Sequence, residues 1–231
     1  MHSTLPLLTI ARALGLVTLL VAPLSAVAAT IISTFDSDAE GWIANPGEGA
    51  LTHVATGGNP GGHIRIQDIG AGSVPFGSGA FAPGNFLGNL SSFDGGTLSL
   101  DMATFAGSGP TFPSFGAIQL SGGGDIAMFD IAVSAPGFGT WETYMAPLTA
   151  SSWGKSQSEW LAILADVTSI GIPTDAFDGN DTIGIDNFAI ANSMNNIPQP
   201  ASLALLGIGI ASLCLLRKGF GIRPRSKADL A

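Results

Sequence analysis

Short runs in which apolar and polar residues alternate recur through the central part of the chain, separated by Gly, Pro, Asn and Asp. In residues 63–69, Ile64 and Ile66 fall on one face of an extended chain and Arg65 and Gln67 on the other. This period of two is typical of a half-buried strand. Related patterns predict further strands in residues 30–35, 97–102, 117–120, 126–133, 141–145, 167–173 and 182–190.

One segment departs from this alternation. Residues 158–165 have a polar start and then apolar side chains at helical spacing, including Trp160 and Ile163, which predicts one short helix. Residues 122–125, three glycines and Asp125, predict a hairpin turn between two strands. Many short strands with turn residues between them indicate an all-β fold, an antiparallel sandwich.

The first 28 residues have the three parts of a secretory signal. A short start carries Arg12, residues 13–27 are almost wholly apolar, and Ala26-Val27-Ala28 supplies the small-x-small cleavage pattern. A buried core helix is the alternative. The basic start and the small-residue end favour a signal helix, which signal peptidase would remove to leave Ala29 or Thr30 as the first residue.

The C-terminal end combines a linker, an apolar run and a basic stop. Residues 192–197 are a polar linker, and Pro198-Gln199-Pro200 interrupts any helix. Residues 201–216 are apolar and uncharged, which predicts a short transmembrane helix, since a stable span usually needs about 20 residues. Arg217 and Lys218 then open a basic segment that the positive-inside rule keeps cytoplasmic. The central domain is therefore expected beyond the bacterial inner membrane.

Taken together, this tripeptide, the Leu- and Ile-rich run and the Arg217-Lys218 stop resemble the PEP-CTERM sorting tail, over residues 198–231. The resemblance implies that an exosortase cuts near the tripeptide and that the membrane anchor is transient. Two features depart from the family pattern: Gln199 replaces the central Glu, and residues 219–231 extend past the basic end. A plain single-span membrane protein is the alternative.

Residues 29–191 have the size of one ordinary domain. Their composition limits the kinds of protein and partner that are expected. The single cysteine, Cys214, lies in the tail, so no disulfide holds the domain. Residues 30–197 include sixteen acidic residues and only two basic ones, Arg65 and Lys155, which gives a net formal charge of about −14. Nucleic acid is therefore not an expected partner, because phosphate contacts need Lys and Arg.

Residues 81–90 read Phe-Ala-Pro-Gly-Asn-Phe-Leu-Gly-Asn-Leu, and Gly95-Gly96 precede a strand pattern. Further features are Phe35-Asp36 through Gly41-Trp42, Asn59-Pro60-Gly61-Gly62, Trp160-Leu161 ahead of Ile170, and the closing Gly184-Ile185-Asp186-Asn187-Phe188. Together they resemble the laminin B (laminin IV type A) domain. The resemblance implies an antiparallel jelly-roll β-sandwich of the galactose-binding-like type with one short helix, flanked here by the signal helix and the transmembrane helix.

The resemblance also implies one structural calcium where the first and last strands meet, with Asp36 and Asp186 at the matching positions. Hard oxygen ligands in a region almost free of Lys and Arg suit this ion. Capping of turns is the competing role of the two residues. A second group, Asp175, Asp178, Asn180 and Asp181, lacks the spacing of an EF-hand, and an ordinary solvated turn is the favoured interpretation over a second site.

Four tryptophans invite a glycan-binding interpretation. Trp153 lies in a polar loop after Ser151-Ser152 and is the best candidate for an exposed stacking platform, although a Trp in a sandwich is more often core. Catalytic motifs are lacking in the sequence: there is no nucleophile elbow, the domain has no Cys, and His and Cys do not follow zinc spacing. We therefore predict no catalytic residues and no enzyme activity.

These observations favour an exported cell-surface or matrix protein that binds a glycan, with exopolysaccharide as the expected partner. Two alternatives stay open: a purely structural module that binds only calcium, and a hydrolase of extracellular polysaccharide.

Overall fold

The computed structural model describes residues 29–70, 77–112, 115–132 and 134–193, and these ranges contain eleven strands and one α-helix. The strands are β1 (Thr30–Ser33), β2 (Ile43–Ala44), β3 (Gly49–Val54), β4 (His63–Asp68), β5 (Gly79–Phe81), β6 (Thr97–Ala106), β7 (Ala117–Gly122), β8 (Asp125–Asp130), β9 (Glu142–Pro147), β10 (Val167–Pro173) and β11 (Thr182–Ala191). The helix is α1 (Gln157–Ala165).

The larger, six-stranded sheet is built around β11. Its order is β3-β4-β11-β6-β9, β1 also pairs with β11, and all pairings are antiparallel. β6 runs along one side of β11, while β4 pairs with residues 182–185 and β1 with residues 188–191 on the other side. Asp186 and Asn187 lie in the gap between β4 and β1, so the loop after β1 and the loop before β4 meet opposite them.

The second sheet has the order β2-β5-β10-β7-β8 and is also antiparallel. Side chains of alternate strand positions from both sheets form one core, because burial of apolar surface is the main force that holds such a sandwich together. The fully buried strand residues include Ile64, Ile66, Leu98, Leu100, Ile118, Leu120, Ile170, Ile183 and Ile185. Val27–Ile197 forms a compact unit that contains every strand and the whole core.

Helix α1 begins with a capping box. The Ser156 hydroxyl accepts the Glu159 main-chain N–H, and the Glu159 carboxylate accepts the Ser156 N–H at 2.9 Å. These two bonds satisfy amides that the first helical turn leaves free. The helix buries Trp160 and Ile163, so the same short segment that starts the helix also packs it on the core.

The predicted all-β jelly-roll sandwich with one short helix is confirmed. Sequence patterns missed β2, β3 and β5. β2 and β3 lie at sheet edges and are only partly covered, so alternation is weak in them. β5 is three residues long, Gly79-Ala80-Phe81, and is too short to show a pattern.

The predicted signal helix and the whole predicted sorting tail, with Pro198, Gln199, Pro200, Arg217 and Lys218, lie outside the described residues. Within the described ranges, no helix has the length and apolar character needed to cross a membrane. Asn192, the first predicted linker residue, bonds to the start of the domain: its side-chain oxygen accepts the Ala29 N–H at 2.9 Å.

Candidate functional site

The gap between β4 and β1 brings together the two predicted calcium ligands. Asp36 follows β1, and Asp186 lies on β11 with its side chain fully buried. Both border the loop before β4: a Cβ on Gly61 would strike Asp36 Oδ1, and one on Gly58 would lie 2.7 Å from Asp186 Oδ2. Glycines in this loop therefore allow the main chain to approach both carboxylates.

Two carboxylates in this gap, those of Asp186 and Asp101, are already satisfied by N–H and O–H donors, while the exposed Asp36 accepts the Thr34 hydroxyl at 3.1 Å. Asp186 accepts the main-chain N–H of Asn59 at 2.6 Å and of Asn187 at 2.7 Å. Asp101 accepts the Thr143 hydroxyl at 2.6 Å and the side-chain amides of Asn59 at 3.1 Å and Asn187 at 2.8 Å. These contacts match the turn-capping role better than metal ligation, since donors occupy the oxygens. Calcium at Asp36 and Asp186 stays a prediction.

The pKa of Asp186 is raised to about 6, mainly by burial; the nearby charges of Asp101 and Asp36 act in the same direction, and the two amide donors act against it. Among the described residues, no three His, Cys, Asp or Glu side chains are grouped so that they could hold a metal ion.

The expected exposure of Trp153 is wrong. Its side chain is 3% exposed, its ring stacks on Trp160 with centroids 5.5 Å apart, and its Nε1–H donates to the Pro147 carbonyl at 2.8 Å. The polar Ser151-Ser152 turn folds the indole inward onto the helix. A buried indole presents no face to a sugar, so Trp153 belongs to the core.

A different group of aromatic side chains lies on the outer face of the six-stranded sheet. We call it the aromatic cluster: His63 and Arg65 of β4, Phe105 of β6, and Trp141 just before β9. His63 stacks on Phe105 with centroids 5.2 Å apart, and the Arg65 guanidinium carbon lies 3.7 Å from the centre of the Phe105 ring. Trp141 packs edge-on against both rings, at 5.2 Å from His63 and 5.9 Å from Phe105.

Gly184, in the middle of β11, lies directly beneath the rings of this cluster. It pairs with Arg65 of β4 and Ala103 of β6, and a Cβ at this position would lie 2.5 Å from Phe105 Cε2 and 2.9 Å from Trp141 Cη2. The missing side chain therefore lets both rings approach the main chain of β11 closely. Trp141 is also fixed by its Nε1–H, which donates to the Gly57 carbonyl at 3.0 Å.

His63 is held neutral. It is fully buried, and its Nε2 lies 3.0 Å from Arg65 Nε. Because the guanidinium can only donate, Nε2 must be the unprotonated nitrogen. The hydrogen is then on Nδ1, which has no partner within the described ranges. Burial, followed by the charges of Arg65 and His53, lowers the pKa of His63 to about 4.

A second acidic group lies where β10 joins β11. Asp175 and Asp181 are 8% and 1% exposed, so the expected solvated turn is wrong for these two, while Asp178 and Asn180 are exposed. Burial raises the pKa of Asp181 to about 7, with Asp175 and Asp68 adding to the effect against two amide donors. Burial also raises the pKa of Asp175, as do the charges of Asp68, Asp178 and Glu48.

Sequence reasoning missed the aromatic cluster because its members meet only through strand register. Two signals were available. Arg65 and His63 lie on the polar phase of a well-predicted strand, and Gly184 interrupts a strand otherwise rich in Ile. A glycine inside a strand often marks a close approach of another group.

No protein-family model matches the sequence, and no curated protein matches it. Among solved structures, the L4b domain of human laminin alpha-2 is similar at 17% identity, over 50% of this chain and 70% of that one, with a TM-score of 0.43. An exo-β-agarase is similar at 13% identity over 69% of this chain and 25% of its own, with a TM-score of 0.49. The C-terminal family 22 carbohydrate-binding module of Clostridium thermocellum Xyn10B is similar at 15% identity over 72% and 95%, with a TM-score of 0.45. Similarity this distant says nothing of function.

Proposed function

We propose that this chain is a non-catalytic, exported surface protein whose sandwich binds a glycan on the outer face of the six-stranded sheet. The aromatic cluster carries this proposal. Trp141 and Phe105 are partly exposed on this face of the sheet, and the Arg65 guanidinium lies over Phe105. Exopolysaccharide is the proposed partner.

The cluster offers the two kinds of contact that a sugar ring needs. The partly exposed Trp141 ring provides apolar surface for the C–H side of a pyranose, while the Phe105 ring supports the Arg65 guanidinium that lies over it. Arg65 provides N–H donors, and Thr52, its register partner on β3, and Gln67 on β4 are exposed beside it as further hydrogen-bonding groups. Apolar rings with a few polar groups around them are the usual composition of a small-ligand site.

We expect Trp141→Ala and Gly184→Ala to weaken binding of the Val27–Ile197 segment to immobilised exopolysaccharides about tenfold or more, because a lost ring contact of about 1.4 kcal/mol already has that effect. Gly184→Ala acts indirectly, since its Cβ displaces Phe105 and Trp141. Binding to a panel of neutral and acidic polysaccharides is measured by microarray, then by calorimetry on the best ligand.

Two matched controls separate the site from general damage. Gly84→Ala adds the same atom where nothing lies within 4 Å, and Ile126→Ala truncates an exposed side chain on the other sheet. Both should bind like the parent protein. Failure of all polysaccharides to bind, or equal binding by Trp141→Ala, contradicts the proposal. Release of reducing sugar from a bound glycan favours the hydrolase alternative instead.

The proposed route to the surface uses both ends of the chain. Signal peptidase cuts before Ala29 or Thr30, the segment 201–216 anchors the chain in the inner membrane, and exosortase cuts near Pro198-Gln199-Pro200. The protein is then attached to the cell surface or released. In a bacterial host with an exosortase, we expect N-terminal sequencing and mass measurement to find both ends trimmed.

The basic stop provides a matched test of the second cut. Changing Arg217 and Lys218 to Gln removes the charges next to the apolar run, and we expect uncut precursor to accumulate in the membrane fraction. Changing Arg225 and Lys227 to Gln removes as many charges farther along, and processing should continue. An intact C-terminus on the surface form of the parent protein contradicts exosortase sorting.

A further inference from the structure

A pocket of about 200 Å³ opens at the end of β4, beside the loop that joins β10 to β11. We call it the acidic pocket. Its lining includes three carboxylates, one side-chain amide and two aromatic rings: Asp68, Asp175, Asp178, Asn180, Phe112 and Phe177. None of these residues belongs to the aromatic cluster or to the gap that holds Asp36 and Asp186.

Asp175 is the unusual residue of this lining. It is only 8% exposed, it faces the acidic pocket, and no hydrogen bond to its carboxylate is found in the described part of the chain. Gly77 makes room for it, because a Cβ there would lie 2.6 Å from Asp175 Oδ2. A buried carboxylate without a donor is costly unless a positive charge compensates it.

Two neighbouring carboxylates also have an oxygen without a hydrogen-bond donor among the described residues. Asp181 Oδ2 accepts the N–H of Ala176 at 2.6 Å and of Phe177 at 3.0 Å. Its Oδ1 and the Oε2 of Glu48 are buried, and neither has a partner among the residues that the structure describes. Five acidic residues lie near this pocket, and three of them, Asp175, Asp181 and Glu48, have at least one oxygen that no donor of the described residues reaches.

The two Lys and Arg side chains of the described residues do not compensate this charge. Between residues 30 and 197 the sequence contains only Arg65 and Lys155. Lys155 pairs with Asp125 at 2.6 Å, and Arg65 lies over Phe105 in the aromatic cluster. Compensation must therefore come from a bound proton or from a cation supplied from outside the domain.

We propose that the acidic pocket binds one Ca²⁺ ion, with Asp68 and Asp175 as its two carboxylate ligands and the Asn180 side-chain oxygen as a further ligand, while Asp178 adds negative charge at its mouth. Since no three acidic side chains of the described residues are already grouped to hold a metal, main-chain carbonyls and water must complete the shell. Ca²⁺ accepts six to eight oxygens in irregular geometry, whereas Mg²⁺ demands a near-ideal octahedron. The affinity expected for such an extracellular site is about 0.1–1 mM.

This position differs from the one that the sequence indicated. Two main-chain amides already satisfy Asp186, and Asp36 accepts the Thr34 hydroxyl. In the acidic pocket, Asp68 accepts one amide, that of Gly70 at 3.0 Å, and Asp175 accepts none from the described residues. A cation gains most where no donor competes with it, so the acidic pocket is the better site.

Calcium titration of the Val27–Ile197 segment tests this proposal. Calorimetry should give one ion per chain, and the melting temperature should rise by several degrees at about 10 mM CaCl₂, because a ligand that binds only the folded state stabilises it. Asp175→Asn should weaken binding at least tenfold. It should also be as stable as the parent protein or more stable in chelator, because it removes like-charge repulsion, and less stable in calcium.

Three comparisons make the result decisive. Asp166→Asn removes an exposed carboxylate elsewhere and should bind calcium normally, and NaCl of matched ionic strength should not reproduce the stabilisation. Asp178→Asn, at an exposed position, replaces Asp175→Asn if that variant does not fold, and should weaken binding measurably. The proposal is overturned if no calcium binds by about 10 mM, if the acidic-pocket variants bind normally, or if Asp186→Asn alone abolishes binding.

Discussion

Replacing Trp160 with alanine is expected to lower the free energy of unfolding of the Val27–Ile197 segment by about 3–5 kcal/mol. Trp160 is fully buried, its ring stacks on Trp153, and its Nε1–H donates to Asp94 Oδ1 at 2.9 Å. Truncation removes the apolar contact, leaves a cavity under α1 and takes a donor from Asp94. Since a domain of this kind is stable by about 5–15 kcal/mol, the loss should be visible as a large fall in the urea midpoint.

Leu161 provides the matched control, because it is the next residue of the same helix and is 39% exposed. Leu161→Ala should cost less than about 1 kcal/mol, as surface substitutions usually do. Trp153→Ala should resemble Trp160→Ala, since the two rings form one stack. If Trp153→Ala is nearly neutral in stability and instead abolishes glycan binding, the buried position of Trp153 is wrong.

The fold was predictable where local pattern and burial agree. β4, β6 and β11 alternate because one face of each lies on the core, and α1 carries its own start signal in Ser156 and Glu159. The edge strand β3 was not predictable, because Gly49, Thr52 and His53 leave little apolar contrast between its faces. Its position follows from pairing with β4, which no local pattern contains.

The candidate sites were less predictable than the fold. Ser151 and Ser152 indicated exposure for Trp153, but burial is decided by the stack with Trp160, a tertiary contact. The aromatic cluster joins Arg65 to Phe105 across β11, so it depends on the register of three strands. Similarly, the sequence grouped Asp175 with Asp181, but only the fold adds Asp68 from β4 to the same pocket.

As the pH falls from about 7 to about 4, we expect the free energy of unfolding of the parent protein to decrease relative to that of a His63→Gln variant. The folded-state pKa is about 4, whereas the unfolded value is 6.5. Between pH 6.5 and pH 4 the His63 ring is therefore protonated in the unfolded chain but not in the folded chain. This protonation stabilises the unfolded chain, so the free energy of unfolding decreases as the pH falls. This difference between the two pKa values of His63 corresponds to a change in the free energy of unfolding of at most about 3 kcal/mol.

The comparison must be made between the two proteins at each pH, because other groups act in the opposite direction. Asp181 and Asp186 have folded-state pKa values of about 7 and about 6, above the unfolded value of 3.8, so they add stability as the pH falls. Both are present in the parent protein and in His63→Gln, so their effect cancels in the difference between the two urea-unfolding free energies. Nuclear magnetic resonance measures the pKa of His63 directly. The His63 ring signals are assigned by their absence in His63→Gln, and they should not titrate near pH 6.5. A midpoint near 6.5 would mean that the Nε2 of His63 is free to take a proton, which is incompatible with the donated Arg65 bond and with the packing of the aromatic cluster.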